Sequence, residues 1–286
     1  MSGRRMKVNK NKRKFLLPTL LGLTLWLIWG NFTIAESHFT ITDKNIPESF
    51  DGFKIAHLSD IHGKTWGRQT IEPITEFDPN IIVITGDLID SSTADFGEIE
   101  AWLAEITEIA PVYFITGNHE AWHPEYELLE ELLVENEVTV LKDEAMTLTS
   151  SGEEIGLIGL VDPAFLTESN MFNEHEFIMD AKIKELVDGK DTYNILLSHR
   201  PELFAVYVNN AIDFVLSGHA HGGQFRLPLI GGLVAPDQGF FPEYTAGLYE
   251  EEGTKMLVSR GLGNSIIPVR FNNRAELIFI ELVNVS

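Results

Sequence analysis

The stretch KIAHLSDIHG, residues 54–63, decides the fold. Its first half, Lys54–Leu58, is a short and largely apolar run, which predicts a buried strand. Asp60 and His62 follow directly, and residues two apart on an extended chain face the same side. Gly63 lets the backbone approach a crowded centre. A strand that ends in two such metal-capable side chains predicts a ligand site at one edge of a sheet.

Other apolar runs end in the same way. They are Ile81–Thr85 followed by Asp87, Val112–Thr116 followed by Asn118 and His119, Asn194–Ser198 followed by His199, and Phe214–Ser217 followed by His219 and His221. Ligands of open α/β sheets bind at the carboxyl ends of the strands, so we expect these side chains to converge. Each motif alone is more often a turn, a cap or a packed histidine, but the ordered set favours a metal site.

The residue types predict two divalent metal ions. Imidazole and carboxylate suit zinc, manganese or iron, and an asparagine carbonyl is a weaker oxygen donor, so the metal identity stays open. Two four-coordinate metals need about eight ligand contacts, which about seven side chains supply if one carboxylate bridges. The predicted metal ligands are Asp60, His62, Asp87, Asn118, His199, His219 and His221. Asp87 is the natural bridge.

The rest of the chain alternates short apolar runs with amphipathic stretches. Further strands are predicted at 138–141, 155–159, 255–259 and 277–283, and helices at 69–77, 96–109, 125–136, 176–187 and 202–208. Alternation of strands and helices predicts a layered α/β domain. Without an internal repeat or a linker, one body domain at residues 36–286 is the simplest organisation.

Composition narrows the function classes. The formal net charge is −22, although the first fourteen residues carry seven basic residues and no acidic one. A body this acidic argues against nucleic acid as a partner, because nucleic-acid binding needs cationic surface. Bound cations would still supply local positive charge at the predicted metal site of an acidic protein. The absence of cysteine excludes disulfides, thiolate catalysis and cysteine-ligated metal sites.

Residues 1–35 predict a membrane anchor or a signal segment. The apolar run Phe15–Trp29 directly follows the basic cluster, which is the layout of both. A transmembrane anchor is favoured over a cleaved signal, and a buried core helix is the remaining alternative. The expected location is the cell membrane, with the N-terminus cytoplasmic and the catalytic body outside. A cleaved segment would instead release a secreted protein.

The five motifs in order, D-x-H, G-D, G-N-H-E, H and G-H-x-H, resemble the calcineurin-like metallophosphoesterases. The stretches 222–228 and 259–265 are similar to the small bacterial members that are anchored or exported through their N-terminus. One departure is Glu120, where many members have Asp, and we expect little consequence from it. The chain also has no large inserted cap domain, so we expect an open site.

The resemblance implies a four-layer α/β/β/α sandwich with the site at its top edge. It assigns Asp60, His62, Asp87 and His221 to one metal. It assigns Asp87, Asn118, His199 and His219 to the other. His119 would be the catalytic residue beside the leaving group, as a general acid or an electrostatic stabiliser.

The expected activity is hydrolysis of phosphate esters, diesters first, by a hydroxide that bridges the two metals. The substrate would be a lipid-linked, wall-linked or nucleotide-type phosphoester at the membrane or envelope. The alternatives are a UDP-2,3-diacylglucosamine-type pyrophosphatase and a non-catalytic scaffold of the same fold. Arg226, Arg260 and Arg270 are equally compatible with a phosphate clamp and with structural salt bridges.

Overall fold

The computed structural model describes residues 10–166, 172–187, 192–264 and 269–285, with the side chains of residues 10–16 and 172–173 excepted. The first nine residues, with part of the basic cluster, and Ser265 of the second family-like stretch lie outside these ranges.

Helices and strands alternate through most of the chain. The helices are α1 Lys10–Phe32, α2 Arg68–Phe77, α3 Gly97–Thr107, α4 Asn118–Trp122, α5 Tyr126–Glu135, α6 Phe172–Val187 and α7 Phe204–Asn209. The first strands are β1 Ile34–Asp43, β2 Lys54–Leu58, β3 Ile81–Thr85, β4 Val112–Ile115, β5 Thr139–Val140, β6 Glu144–Ser150, β7 Glu153–Gly159 and β8 Asn194–Leu197. The later strands are β9 Phe214–Ser217, β10 Arg226–Leu227, β11 Gly231–Gly232, β12 Val234–Ala235, β13 Gly239–Phe240, β14 Gly247–Glu251, β15 Thr254–Val258 and β16 Ala275–Asn284.

Two six-stranded sheets form the centre of the molecule. Their strand orders are β1-β16-β2-β3-β4-β5 and β14-β15-β9-β8-β7-β6. Within the first sheet β2, β3 and β4 are parallel neighbours, and β8 and β9 are parallel neighbours in the second. The carboxyl ends of these five strands therefore lie at matching edges, which is where the predicted ligands follow them.

Side-chain alternation divides the core into three apolar layers. Ile55 of β2 faces the second sheet and packs in one cluster with Phe214 of β9. Its neighbour Ala56 points the other way, toward a cluster that includes Leu103 of α3. On the far side of the second sheet, α6 and α7 pack on residues such as Val215. Residues of opposite parity along each strand thus reach opposite faces, and the result is the expected four-layer α/β/β/α sandwich.

The first strand was not predicted. β1 pairs in parallel with β16 from Ile34 to Asp43, so it lies across the predicted boundary between the N-terminal segment and the body. Only Ile41 of this strand is fully buried, because β1 is at the edge of its sheet. The mostly polar sequence of an edge strand gives little signal without its partner.

The predicted anchor coincides with α1. Among the described residues, none of the helices combines the length and apolar character that crossing a membrane requires. The predicted transmembrane helix is therefore not supported. The end of α1 is instead tied to the body, because the side chain of Asn31 accepts a hydrogen bond from the backbone N–H of Arg270 over 2.7 Å and donates one to its carbonyl over 3.0 Å.

Candidate metal centre

The structure brings the seven predicted metal ligands together at one edge of the two sheets. The segments after β2, β3 and β4 of the first sheet supply Asp60, His62, Asp87 and Asn118. The segments after β8 and β9 of the second sheet supply His199, His219 and His221. Asp60, Asp87, Asn118, His199, His219 and His221 are all buried. Strands from both sheets thus contribute to one site.

Asp60, His62, Asp87 and His221 form the first group. Each offers a ligand atom within 4.8 Å of the others. The Nε2 atoms of His62 and His221 are 3.2 Å apart. Nε2 of His221 lies 3.3 Å from Oδ1 of Asp60, and Nε2 of His62 lies 3.6 Å from Oδ2 of Asp87. These spacings put four donors around one point.

Asp87, His199 and His219 form the second group, again within 4.8 Å. Nε2 of His199 is 3.3 Å from Oδ2 of Asp87 and 3.2 Å from Nδ1 of His219. Asn118 follows β4 beside them. Its Oδ1 is buried with no hydrogen-bond partner, which is costly unless a ligand satisfies it.

The donor set fits divalent cations. The Nδ1 of His199 lies 2.7 Å from the carbonyl oxygen of Thr85, so the ring N–H donates there and leaves Nε2 for a metal. Burial alone would lower the pKa of His199, but the nearby Asp87 carboxylate raises it to about 10. The site thus attracts positive charge, a proton in the metal-free protein and a cation when one binds.

The backbone at the site is strained. Asp60, His62, Asp87, His219 and His221 all have positive φ angles, between 46° and 62°. This left-handed region is uncommon for residues other than glycine, and such residues concentrate at functional sites. The conformation turns each side chain off its strand end toward the centre.

Gly117 allows the close approach of two ligand loops. A Cβ atom there would clash with the side chain and backbone nitrogen of Asp87. Any larger residue would therefore push β3 and β4 apart at the point where Asp87 and Asn118 must meet.

Glu120 joins the same two loops. Its buried carboxylate accepts hydrogen bonds from the backbone N–H groups of Gly117 over 2.6 Å, Asp87 over 2.9 Å and Ile89 over 3.2 Å. Burial and then the charge of Asp87 raise the pKa of Glu120 to about 7. The sequence marked this residue as a minor departure, whereas the structure shows that it fixes the loop that carries Asp87.

His119 lies beside the first group without belonging to the predicted ligands. Its ring stands perpendicular to that of His62, with centroids 4.5 Å apart. The backbone N–H of Ser91 donates to its Nδ1 over 3.0 Å, so the neutral ring carries its proton on Nε2. Burial lowers the pKa of His119, although Asp87 opposes this, so the ring is neutral at neutral pH.

The three arginines considered as a phosphate clamp bond to protein groups. Arg226 donates to the carbonyl of Gly222, Arg260 to the carboxylate of Glu276, and Arg270 to the carbonyls of Arg260 and Gly263. None of the three lines the cleft at the metal ligands. The structure favours their structural interpretation.

Arg200 and Asp237 are site residues that the sequence analysis missed. Both line the cleft, and both touch His219. Arg200 directly follows His199, so adjacency to a predicted ligand was an available signal. Asp237 lies in the turn between β12 and β13 and belongs to no motif.

A cleft of about 760 Å³ opens over the metal ligands. Asp87, Asn118, His119, His219 and His221 line its floor. The apolar residues that line the cleft, which we call the apolar wall, are Trp122, Pro163, Ala164, Leu166, Leu203 and Pro236. The indole of Trp122 is 59% exposed and its ring centroid lies 5.3 Å from that of His119.

Comparison with known proteins agrees with this geometry. The family model of the calcineurin-like phosphoesterases matches residues 53–223. The chain is 29% identical over 258 residues to the metallophosphoesterase YkuE of Bacillus subtilis, with 87% of this chain and 85% of that protein aligned. It is 28% identical over 247 residues to the phosphodiesterase YaeI of Escherichia coli, with 81% and 82% aligned.

A longer relative is the transmembrane protein with metallophosphoesterase domain of Bos taurus. Identity is 32% over 293 residues, which cover 94% of this chain and 63% of that protein, so the chain spans less than two thirds of it. Because the family model covers most of the chain and all five motifs meet at one site, the chain belongs to the calcineurin-like phosphoesterase family and is a metal-dependent phosphohydrolase.

Proposed function

We propose that the protein hydrolyses phosphodiesters with two divalent cations at this site. The observation that carries the proposal is that Asp87 belongs to both groups of donor atoms. Asp60, His62, Asp87 and His221 would hold one cation. Asp87, Asn118, His199 and His219 would hold the other. Bound cations would activate water as a nucleophile and neutralise charge on the phosphoryl oxygens.

His119 is proposed to assist the leaving group. Its Nδ1 accepts a hydrogen bond from Ser91, so its Nε2–H is free to donate. The ring lines the floor of the cleft beside Asn118. A hydrogen bond from this Nε2–H to the departing alcohol oxygen would stabilise the negative charge that develops there, and one such donor is worth about 10²–10³-fold in rate.

The cleft favours diesters over monoesters by charge. A phosphate monoester approaches two negative charges at neutral pH, because its second pKa is about 6, whereas a diester carries one. The cleft walls add the carboxylates of Glu202 and Asp237. Arg200 is the one lysine or arginine side chain among the lining residues that the structure describes, and it is already bonded to Asp162 and Asp237. Beyond the two cations, a second charge on the substrate would therefore meet no unpaired cationic side chain among these lining residues.

The apolar wall supports an organic group on the leaving side. Trp122 stands next to His119, and Leu166 and Leu203 also line the cleft. Apolar surface in a cleft binds the non-phosphate part of a ligand, while a few polar groups fix its orientation. The E. coli relative is named a phosphodiesterase, which agrees with this proposal.

We also propose that the N-terminal segment holds the enzyme at a membrane surface. Large apolar side chains of α1 are exposed, namely Leu17, Leu20, Leu21, Leu23, Leu25, Ile28, Trp29 and Phe32. In the sequence a basic cluster precedes them, which would favour anionic headgroups. Sedimentation of the full chain with phosphatidylglycerol vesicles tests this. Binding should fall in Leu21→Gln/Leu25→Gln, and equal binding by both proteins would refute the proposal.

Hydrolysis assays test the activity. The full chain is loaded with Mn²⁺, Zn²⁺ or Fe²⁺ and given bis-p-nitrophenyl phosphate, p-nitrophenyl phosphate and a UDP-lipid, with Asp87→Asn as the control for contaminating activity. Higher kcat/KM for the diester supports the proposal. A preference for the monoester or for the UDP-lipid would replace it with a phosphatase or a pyrophosphatase. No turnover with any metal would indicate a non-catalytic scaffold.

The role of the apolar wall has its own comparison. Trp122→Ala should raise KM for the diester with less effect on kcat, because the indole would contact the organic group rather than the reacting phosphorus. His38→Ala, which changes an exposed ring on β1 outside the cleft, is the matched control. An unchanged KM in Trp122→Ala would show that the wall does not bind the substrate.

A further inference from the structure

His219 uses its two ring nitrogens in opposite directions. Its Nδ1 faces the second group of donors, 3.2 Å from Nε2 of His199. Its Nε2 faces outward, 2.8 Å from Oδ2 of Asp237. The rings of His199 and His219 are buried, whereas the carboxylate of Asp237 lines the cleft. Whether Nε2 carries the proton of the neutral ring therefore decides whether Nδ1 has a lone pair for a cation.

A neutral imidazole has one N–H and one lone pair, and only the lone pair binds metal. An ionised carboxylate can only accept hydrogen bonds. With Asp237 as neighbour, the proton of His219 lies on Nε2, and Nδ1 keeps its lone pair for the cation. Carboxylate partners of this kind fix the tautomer and the orientation of metal-binding histidines.

Arg200 competes with Asp237 for Nε2 of His219 and favours the other tautomer of the ring. Nη1 of Arg200 lies 3.1 Å from the same Nε2 of His219. A guanidinium can only donate, so on its own it would favour a lone pair at Nε2 and move the proton to Nδ1. That tautomer points its N–H at His199 and cannot bind a cation through Nδ1. The balance between Asp237 and Arg200 thus decides whether Nδ1 of His219 has a lone pair with which to bind a cation.

The arrangement of the two competitors is itself fixed. Asp162 accepts hydrogen bonds from Nε and Nη2 of Arg200 over 2.6 and 2.9 Å, which is a two-pronged buried pair. Nη1 of Arg200 then donates to Asp237, and Oε1 of Glu202 lies 3.6 Å from the same nitrogen. Arg200 is therefore occupied by acceptors and holds the Asp237 carboxylate against His219.

We propose that Asp237 is a positioning residue that keeps His219 in the tautomer with a free Nδ1, so that the second cation can bind. The inference rests on the proposed two-cation function. On this proposal the turn between β12 and β13, which carries no family motif, supplies a residue that supports the second cation site.

The test compares Asp237→Ala and Asp237→Asn with the unchanged full chain. In metal-free protein labelled with nitrogen-15 at histidine and carrying His199→Gln, so that no imidazolium at position 199 opposes a proton on Nδ1 of His219, proton–nitrogen correlation spectra show which nitrogen of His219 carries the proton. Loss of signals in His219→Gln assigns them. Calorimetric titration with Mn²⁺ then measures the affinities of the two sites.

In the spectra we expect the Nε2–H form when Asp237 is present and the Nδ1–H form in Asp237→Ala. Affinity for the second Mn²⁺ should fall by about 10–100-fold in that variant, the usual cost of losing the partner of a metal-binding histidine, while the first site keeps its affinity. Asp237→Asn, whose amide oxygen still accepts, should keep the tautomer and lose less affinity. Asp43→Ala, which removes a 2.8 Å ion pair with Lys255 outside the cleft, should change neither quantity.

Two results would overturn the role of Asp237. One is an unchanged tautomer in Asp237→Ala, and the other is an unchanged affinity for the second Mn²⁺ despite a changed tautomer. A failure of the two-cation proposal itself would be seen separately, because the unchanged chain would then bind fewer than two Mn²⁺ ions.

Discussion

Oδ2 of Asp87 lies 3.3 Å from Nε2 of His199, and both side chains are buried. Burial alone would lower the pKa of His199, but the carboxylate raises it to about 10. In the metal-free protein at pH 7 the ring is therefore protonated. A cation that binds through Nε2 must displace this proton, which couples metal affinity to pH.

Metal binding should accordingly release a proton. At pH values below the pKa of His199, the apparent affinity for the cation should increase about tenfold for each unit by which the pH is raised. Calorimetric titration with Mn²⁺ in buffers of different ionisation enthalpy measures the release at pH 7. His199→Gln should release less. Heats that do not depend on the buffer would show that the ring is already neutral before the cation arrives.

Asp87→Asn should disrupt both cation sites at once, since the carboxylate belongs to both groups of donors. Loss of a residue behind a ligand costs about 10–100-fold in affinity or activity, and loss of a shared ligand should exceed that. Elemental analysis and diester turnover measure the effect. Full metal content with near-normal turnover would refute the bridging assignment.

His119→Ala should retain metal and lose rate. Its Nε2–H would no longer donate a hydrogen bond to the leaving oxygen, so kcat should fall by about 10²–10³-fold. The loss should be larger for diesters with poor leaving groups, because these build up the most negative charge on the departing oxygen. Metal content is measured alongside, with His38→Ala as the control. A collapse of metal content would instead make His119 a ligand.

Glu120→Gln should destabilise the fold even without metal. The carboxylate accepts three backbone N–H groups, and a glutamine amide would set its own N–H₂ against at least one of them. An unsatisfied buried donor costs about 1–3 kcal/mol in the free energy of unfolding. Urea unfolding of the metal-free protein measures it.

Glu153→Gln is the control for that prediction, because Glu153 caps the backbone N–H of Ser49 over 2.7 Å but is exposed. Its substitution should change stability by only a few tenths of a kcal/mol, about the range for surface positions. Equal losses in the two variants would show that burial of Glu120 does not matter.

The central strands were predictable because burial on both faces makes them continuously apolar. Lys54–Leu58, Ile81–Thr85 and Phe214–Ser217 were predicted at the observed bounds. The edge strand β5 was predicted as well, at 138–141, but the edge strands β1, β6 and β14 were not, since they carry polar residues on exposed positions. The assignment of β1 depends on a partner that is far away in the sequence, and no local pattern reports such pairing.

The predicted metal ligands share a local signal, a polar residue just after an apolar strand, and the structure brings all seven together. The roles of Glu120 and Asp237 could not be read this way. Glu120 matters through hydrogen bonds to two loops, and Asp237 through a turn that only the folded chain sets beside His219. Contacts of this kind follow from tertiary geometry, not from neighbours in sequence.

Each group of donors draws on both sheets, since Asp87 follows β3 of one and His199, His219 and His221 follow β8 and β9 of the other. A bound cation would therefore cross-link the two sheets of the sandwich. A cavity at Phe214, in the layer between the sheets, would let one sheet shift relative to the other. Such a shift would separate the ligands of each cation. Loss of metal would then report a packing defect that lies well below the site.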